Sequence, residues 1–236
     1  MGQLIDQLKK DIRFAEGMNA CIQCGTCTAI CPAAEFYDYD PRQIVVDVQR
    51  NDEAIIEKLL RSDVIWYCGE CMSCKTRCPR SNTPGLIIMA LRALAQETGL
   101  FTESEKGRQQ LVLKRTVGEW SLKHGYCMYP VALTTDLFPE QGPIWDWEHA
   151  NLQDVYARLG ANFEGDGVGA LRKIPEESLN EIRKIFEVTG GLERMQKIEH
   201  YSEQKAAQMG MDFDTSHNNE YFGHIFTHNN GEHFKE

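Results

Sequence analysis

The sequence contains no long apolar run. Its longest apolar stretch, residues 86–95, is interrupted by Arg92 and is about half as long as the roughly 20 residues that a bilayer-spanning helix needs. The amphipathic first ten residues also lack the apolar core of a secretory signal peptide. We therefore expect a soluble, cytoplasmic protein with no direct membrane span.

Positive charge is scarce. The chain has 25 Lys and Arg against 35 Asp and Glu, a formal net charge of −10, and most of the negative excess follows residue 100. Nucleic-acid-binding domains usually carry a basic patch or stripe. The acidic balance therefore argues against a nucleic-acid partner.

Familiar catalytic motifs are also missing. The sequence has no nucleophile beside a paired base and no C-x3-C-x2-C run of the radical enzymes. Residues 165–170 formally fit the dinucleotide motif G-x-G-x-x-G/A, but no credible strand precedes them and Pro175 interrupts the helix that would have to follow. We interpret this segment as a flexible turn, and the sequence predicts no catalytic residue.

Cysteine, by contrast, is concentrated in two copies of one motif. The pattern C-x2-C-x2-C-x3-C-P occurs twice, and each cysteine of the second copy lies 47 positions after its counterpart. The copies consist of Cys21, Cys24, Cys27 and Cys31, and of Cys68, Cys71, Cys74 and Cys78. This is the spacing of bacterial ferredoxins that hold two clusters. The sequence therefore predicts two [4Fe–4S] clusters.

The spacing also predicts which cysteines share a cluster. Three cysteines at intervals of three can supply three iron corners of one cube, and the fourth corner must be reached from elsewhere. In two-cluster ferredoxins the fourth cysteine of each run ligates the other cluster. The predicted ligand sets are Cys21, Cys24, Cys27 and Cys78 for one cluster, and Cys68, Cys71, Cys74 and Cys31 for the other.

Two other uses of eight cysteines are less consistent with the pattern. Disulfide frameworks belong to small secreted domains, and this sequence shows no secretory leader. Structural zinc sites usually pair C-x2-4-C knuckles, whereas here a triple run is closed by Cys-Pro. Iron–sulfur ligation is therefore the interpretation that we adopt.

Helical patterns lie between and after the motifs. Asp40 offers an N-cap that is followed by a proline, with apolar residues at helical spacing beyond it. A second such run follows Asp52, and a third begins at Pro84 and ends near Gly99. We therefore expect helices around the clusters, where a small ferredoxin would use strands.

The two motif segments carry a family resemblance. Residues 21–32 (CIQCGTCTAICP) and 66–79 (WYCGECMSCKTRCP) resemble the C subunit of heterodisulfide reductase and its relatives. The resemblance covers about residues 1–100 and implies a mainly α fold: an α-helical ferredoxin domain with two [4Fe–4S] clusters. Domains of this kind also occur in succinate dehydrogenase iron–sulfur subunits and in anaerobic glycerol-3-phosphate dehydrogenase.

The resemblance also implies a function. The chain would pass single electrons between a flavin-containing A-type subunit and a CCG-domain B-type subunit that handles a disulfide or thiol. It is similar in length to the C-type subunits of heterodisulfide-reductase-like complexes in sulfur-oxidising prokaryotes. The alternative is an iron–sulfur subunit of a respiratory dehydrogenase of the glycerol-3-phosphate, lactate or succinate type.

The rest of the chain carries fewer signals. We divide the sequence into the ferredoxin domain (1–100), a helical extension (101–209) and a polar, flexible tail (210–236). Within the extension we predict helices over 103–124, 175–188 and 192–209, and an ordered loop over 129–147.

Some residues outside the motifs allow two interpretations. We expect Cys127 to be a small buried hydrophobe, the alternative being a redox thiol. Lys75, Arg77 and Arg80 either raise the potential of the second motif's cluster or merely solvate a loop.

The aromatic and histidine residues of the C-terminal half also allow more than one interpretation. Phe138, Trp145 and Trp147 either anchor a partner or pack their own loop. The tail contains several side chains that could ligate a metal, and we interpret them as solvated: His217, His224, His228 and His233, with Asp212, Asp214, Glu220 and Glu232.

Overall fold

The computed structural model describes residues 2–227, whose regular structure is helical, and these residues contain no β-strand. The predicted mainly α fold is confirmed. The α-helices are α1 (Gln3–Lys10), α2 (Ile12–Gly17), α3 (Thr26–Ala29), α4 (Ala33–Phe36), α5 (Pro41–Gln49), α6 (Glu53–Leu60), α7 (Pro84–Thr98), α8 (Glu105–Arg108), α9 (Gln110–Leu113), α10 (Glu119–His124), α11 (Gly142–Ala150), α12 (Leu152–Arg158), α13 (Glu176–Val188), α14 (Gly191–Met209) and α15 (Glu220–Thr227). Shorter turns of 3-10 helix cover Asp63–Trp66, Leu100–Glu103, Pro130–Ala132 and Pro139–Gln141, and a π-helical turn covers Lys114–Gly118. Within the described residues, no helix combines the length and the apolar character that crossing a bilayer requires.

Helix α7 is the centre of the core. It begins with Pro84 and ends at Gly99, which adopts the left-handed conformation (φ 77°), as the sequence predicts. Ile87, Ile88 and Leu91 are fully buried. A helix that is apolar on most sides is stable only when other elements cover it. Helices α1, α2, α5 and α6 pack against α7 and provide that cover.

Helices α5 and α6 fill the connection between the cysteine motifs. The Asp40 carboxylate accepts the backbone N–H of Gln43 at 3.1 Å and so caps α5. Asp52 caps α6 in the same way, accepting the N–H of Ala54 at 2.9 Å. Both predicted helix starts are confirmed. Each cap satisfies a backbone donor that has no partner inside its helix.

The segment after Gly99 departs from the predicted single helix over 103–124. It divides into α8, α9, the π turn and α10. One cause is Ser104, whose hydroxyl accepts the Gly107 N–H at 2.8 Å and starts α8 afresh. Helices α13 and α14 match their predictions closely, whereas α11 lies partly within the predicted loop and α12 was not predicted.

The extension shares its core with the N-terminal part. One cluster of contacting buried residues runs from Ile5 to Ile225, and α14 packs against both α7 and α9. Ion pairs add to this attachment, since Glu97 on α7 receives Arg194 at 3.1 Å and Lys197 at 2.5 Å. The predicted segments 1–100 and 101–209 are thus two parts of one packed body.

Residues 211–227 differ from the predicted flexible tail. They fold back onto the molecule and end in α15, which packs against α9. Tyr221, Phe222 and Ile225 are buried, because their spacing places them on one side of the helix. The His217 ring lies 5.0 Å from the Phe222 ring, so this histidine packs against the core. Residues 228–236 of the predicted polar tail, which include His228, Glu232 and His233, lie outside the described residues.

Candidate iron–sulfur centre

Two cavities lie between the motifs, and four cysteines line each of them. The first is lined by Cys21, Cys24, Cys27 and Cys78. The second is lined by Cys31, Cys68, Cys71 and Cys74. Each cavity thus combines three cysteines of one motif with the last cysteine of the other. The structure brings the eight residues together in the two sets that the spacing predicts.

The backbone of the two motifs repeats around these cavities. Gln23 and its counterpart Glu70 both adopt the left-handed conformation, with φ of 58° and 53°. This region is uncommon for residues other than glycine. The conformation directs the N–H of Gln23 to Cys21 Sγ and the N–H of Glu70 to Cys68 Sγ, each at 3.4 Å. The strained residues therefore aim backbone donors at the cysteine sulfurs.

Each motif also places a side-chain hydroxyl beside one of its cysteine sulfurs, at equivalent positions. The Thr26 hydroxyl lies 3.4 Å from Cys24 Sγ, and the Ser73 hydroxyl lies 3.4 Å from Cys71 Sγ. These side-chain hydrogen bonds lower the pKa of Cys24 and of Cys71. A lowered pKa favours the thiolate, which is the form that binds metal.

The pKa values of two more deeply buried cysteines, Cys27 and Cys74, shift in the opposite direction. Burial raises the pKa of the Cys27 thiol to about 11, and burial also raises the pKa of Cys74. Without a cation these two sulfurs therefore keep their protons at neutral pH. Because a metal ligand must be deprotonated, loading the cavities releases protons.

Helix α5 holds the first motif at two points. The Thr28 hydroxyl donates to the Asp40 carboxylate at 2.5 Å, at the start of the helix. At its other end, Gln49 Oε1 accepts the Cys21 N–H at 2.7 Å. The residues that begin and end α5 thus fix both sides of the first cysteine run.

Arg92 holds the second motif. Its guanidinium donates to the carbonyl oxygens of Ile65 at 2.7 Å and Cys68 at 2.6 Å, and pairs with Glu70 at 2.6 Å. It also lies 5.4 Å from the centre of the Trp66 ring. In the sequence this arginine only interrupts an apolar run, so its positioning role was missed. Its location in a predicted helix beside a cysteine motif was the available signal.

Tyr39 is a second residue that sequence reasoning missed. It lines the second cavity together with Cys68 and is only 3% exposed. Burial raises its pKa well above the usual range. A tyrosine in the connection ahead of a helix gives no sequence signal that it lines a cavity with a cysteine 29 positions later.

Comparison with known proteins agrees with this geometry. The family model "4Fe-4S dicluster domain" matches residues 17–82, which include all eight motif cysteines. The chain is 34% identical over 204 residues to the C subunit of ferredoxin:CoB-CoM heterodisulfide reductase from Methanosarcina acetivorans, covering 86% of this chain and 75% of that protein. This chain belongs to the family of heterodisulfide reductase C subunits. It carries two [4Fe–4S] clusters and is an iron–sulfur electron-transfer subunit.

Other relatives agree with the membership. The C 2 iron–sulfur subunit of CoB--CoM heterodisulfide reductase from Methanocaldococcus jannaschii is 34% identical over 159 residues, covering 65% of this chain and 76% of that protein. The C subunit of the H(2):CoB-CoM heterodisulfide,ferredoxin reductase of Methanothermobacter thermautotrophicus is 26% identical over 147 residues, covering 59% and 78%. The 204-residue match to the Methanosarcina protein extends well past residue 100. This relative therefore matches part of the C-terminal extension as well as the cysteine motifs.

The basic residues near the second motif do not all face its cavity. Arg80 lines the first cavity together with Arg42, because Arg80 comes two residues after Cys78, which itself lines the first cavity. Lys75 and Arg77 are exposed. If these cations raise a cluster's potential, Arg80 is therefore placed to act on the first set of cysteines and not on the second.

Cys127 is exposed and lines neither cysteine cavity. The expectation of a buried hydrophobe is wrong, because the chain leaves α10 at the left-handed Gly125 and passes along the surface. The G-x-G-x-x-G/A segment is a turn, as expected. It curves around Asn162, whose side-chain amide donates to the carbonyls of Asp166 at 2.8 Å and Val168 at 3.0 Å.

The three aromatic residues of the predicted loop have different environments. The Trp145 indole donates to the Leu133 carbonyl, and the Phe138 ring packs edge-on against Phe226 at 5.5 Å. Trp147, however, is 60% exposed. Core packing therefore accounts for two of the three aromatics.

Proposed function

We propose that this protein passes single electrons between partner subunits through two clusters held in the two cysteine-lined cavities. The observation that supports this proposal most strongly is that four cysteines line each cavity, three from one motif and one from the other. The cavities are neighbours, since two consecutive residues at the start of α7 line one cavity each, Pro84 the first and Gly85 the second. Each cluster, when bound, supplies a site that takes up and releases one electron.

The spacing of the cysteine side chains supports clusters over single ions. Zinc draws its sulfur ligands to about 2.3 Å, and four thiolates around one ion would close on it. Among the residues that the structure describes, no group of three or more Cys, His, Asp or Glu side chains is placed to hold a single metal ion. The proposed ligands are therefore Cys21, Cys24, Cys27 and Cys78 for one cluster, and Cys68, Cys71, Cys74 and Cys31 for the other. Four protein ligands complete the coordination of a cluster, which favours electron transfer over substrate binding at iron.

The partners are inferred from the relatives, which are subunits of heterodisulfide reductases. We propose a flavin-containing A-type subunit on one side and a CCG-domain B-type subunit, which handles a disulfide or thiol, on the other. We also place the assembly in the cytoplasm.

The test is an anaerobic purification of the chain with whatever accompanies it, followed by iron analysis and a redox titration monitored by EPR. The proposal predicts about eight irons per chain, two interacting reduced [4Fe–4S] signals, and co-purifying flavin- and CCG-type subunits. Zinc in place of iron, or a single cluster with an open iron site, would contradict it.

A further inference from the structure

Two buried N–H donors that have no hydrogen-bond partner belong to side chains of the first cavity. They are Nδ2 of Asn82 and Nε of Arg42, and both residues line that cavity together with its four cysteines. Buried polar groups are normally paired, so each exception requires an explanation. Among the described residues, no side chain that lines the second cavity carries such an unpaired atom.

A hydrogen bond fixes the orientation of the Asn82 amide. Its Oδ1 atom accepts the backbone N–H of Asn19 at 2.7 Å, and Asn19 does not line the cavity. Because a backbone N–H can only donate, the atom that faces it is the oxygen, and the NH2 group is the unpaired end of the side chain. With 2% of the residue exposed, this NH2 group has little access to water.

The backbone around Asn82 is held in place as well. The Asn82 N–H donates to Cys78 Sγ at 3.3 Å. The N–H of the next residue, Thr83, donates to the Gly17 carbonyl oxygen at 2.8 Å, and Pro84 then begins α7. Asn82 therefore lies between the last cysteine and the central helix, with little freedom to turn its amide toward another acceptor.

The repeat of the two motifs does not extend to this residue. The position 47 residues before Asn82 is Glu35, which is exposed and does not line the second cavity. An ionised carboxylate has no proton to donate. An effect of the Asn82 amide should therefore be confined to the first cavity.

We infer that Asn82 Nδ2 donates a hydrogen bond to a sulfur atom of the cluster in the first cavity and thereby raises the reduction potential of that cluster. An electron that arrives from a partner subunit increases the negative charge on the sulfide and thiolate sulfurs. A donor to one of these sulfurs stabilises the reduced form more than the oxidised form. The inference rests on the proposed function, because it takes the four cysteines of this cavity to be cluster ligands.

The first experiment is an EPR-monitored redox titration of the full-length Asn82→Leu protein, with iron content measured on the same sample. Leucine has nearly the size of asparagine and no N–H group. We expect unchanged iron, a more negative midpoint potential for the first-cavity cluster, and no change for the other. Cys24→Ser, which alters a ligand of the first cavity, identifies the signal. The control is Tyr221→Phe, which removes another buried polar atom without a partner but lines neither cavity, and it should move neither potential.

A second experiment detects the hydrogen bond itself in the wild-type protein. Asparagine labelled with ¹⁵N only at its side-chain amide is incorporated, and pulsed EPR is recorded on the reduced sample. We expect a ¹⁵N coupling in the signal of the first-cavity cluster, and its loss in Asn82→Leu.

No coupling in the wild-type protein would overturn the inference, and this result stands even if Asn82→Leu loses iron. Unchanged potentials in an iron-replete Asn82→Leu protein, or equal shifts of both potentials, would also overturn it. A wild-type chain without two clusters would instead refute the proposed function, so the two failures are distinguishable.

Discussion

At the scale of single residues, Arg115 joins the C-terminal segment to the rest of the molecule. Its side chain is 1% exposed and pairs with Glu199 on α14. The same guanidinium donates to the carbonyl oxygens of Asp214 at 2.6 Å and Ser216 at 2.5 Å, and lies 5.7 Å from the centre of the Phe222 ring. A single buried cation thus joins the π turn, α14 and the approach to α15.

Arg115→Met should therefore be strongly destabilising. The methionine replaces the volume but leaves the Glu199 carboxylate short of one partner, and the carbonyls of Asp214 and Ser216 lose their charged donor and keep only the Asn219 amide. We expect a loss of about 3 kcal/mol in the free energy of unfolding, measured by anaerobic chemical denaturation. Arg183→Met is the control, because Arg183 forms an exposed ion pair with Glu176 and should change stability by about 0–1 kcal/mol. Similar losses in both variants would contradict the role given to Arg115.

The same pair predicts a pH dependence. Burial alone would raise the pKa of Glu199, but hydrogen bonds from Arg115 and Lys114 outweigh it and hold the pKa below the usual value. A carboxylate with a lowered folded-state pKa stabilises the protein above its unfolded pKa, and this stabilisation is lost as the pH falls through the folded pKa.

Glu199→Gln should consequently lower the melting temperature at pH 7. The difference from wild type should shrink as the pH falls below about 4, near the usual pKa of glutamate. Thermal unfolding at several pH values, on samples of equal iron content, measures this. Glu181→Gln on the exposed side of α13 should show no such convergence. A difference that stays constant with pH would contradict the account.

Gly85 sets how closely α7 approaches the second cavity. A Cβ at this position would lie 3.0 Å from Met72 Sδ and 3.8 Å from Cys74 Sγ. Gly85→Val should displace this side of the cavity and reduce bound iron from about eight toward about four per chain, as measured by anaerobic iron analysis and EPR. Gly223→Val, which points into open space, should retain both clusters. Full iron content in Gly85→Val would show that the approach is not required.

At the scale of helices, α5 links secondary structure to the first cavity. Asp40 caps the helix through the Gln43 N–H and also accepts the Thr28 hydroxyl from the cysteine run. Asp52 caps α6 but makes no contact of this kind with the motif. The two caps therefore form a matched pair for mutation.

Asp40→Ala should cost about 1–2 kcal/mol of stability and also change the EPR signal of the first cluster, because Thr28 loses its acceptor. Asp52→Ala should cost about 1 kcal/mol and leave both signals unchanged. Chemical denaturation and EPR on the two variants check these expectations. An unaltered first-cluster EPR spectrum in the Asp40→Ala protein would contradict the proposed link between the α5 cap and the first cavity.

The helices also show what the sequence could predict. Helices α5, α6 and α7 were predictable because local residues mark their starts and ends: Asp40, Asp52, Pro84 and Gly99. The grouping of the eight cysteines was predicted from the ligation pattern of two-cluster ferredoxins, and the two cavities are lined by the same groups. The breaks within 103–124 and the packing of α15 depend instead on distant partners, such as the carbonyls that Arg115 reaches about 100 positions away. Tyr39 and Arg92 were missed for the same reason.

At the scale of the whole molecule, the extension and the ferredoxin part stabilise each other. Ion pairs connect Glu97 to α14, and Lys205 reaches Glu103 at 3.4 Å. Helix α15 covers α9 with Tyr221, Phe222 and Ile225. The region beyond the motifs therefore contributes to the body that surrounds the cysteine cavities.

Truncation after Gly210 should for this reason lower the melting temperature and accelerate iron loss in air. It removes α15 and the carbonyl partners of Arg115, and it exposes the apolar surface that α15 covers. Truncation after Thr227, which keeps α15, is the comparison and should melt at a higher temperature than the chain shortened after Gly210. Equal melting of the two shortened chains would show that α15 does not support the core.

The crossed cysteine sets are the central claim, and iron analysis of two double variants tests them most directly. Cys24→Ser with Cys78→Ser removes two ligands from the first cavity and should leave about four irons per chain and one intact EPR signal. Cys71→Ser with Cys78→Ser removes one ligand from each cavity and should impair both clusters. The reverse pattern, with one cluster intact only in the second double variant, would contradict the crossing.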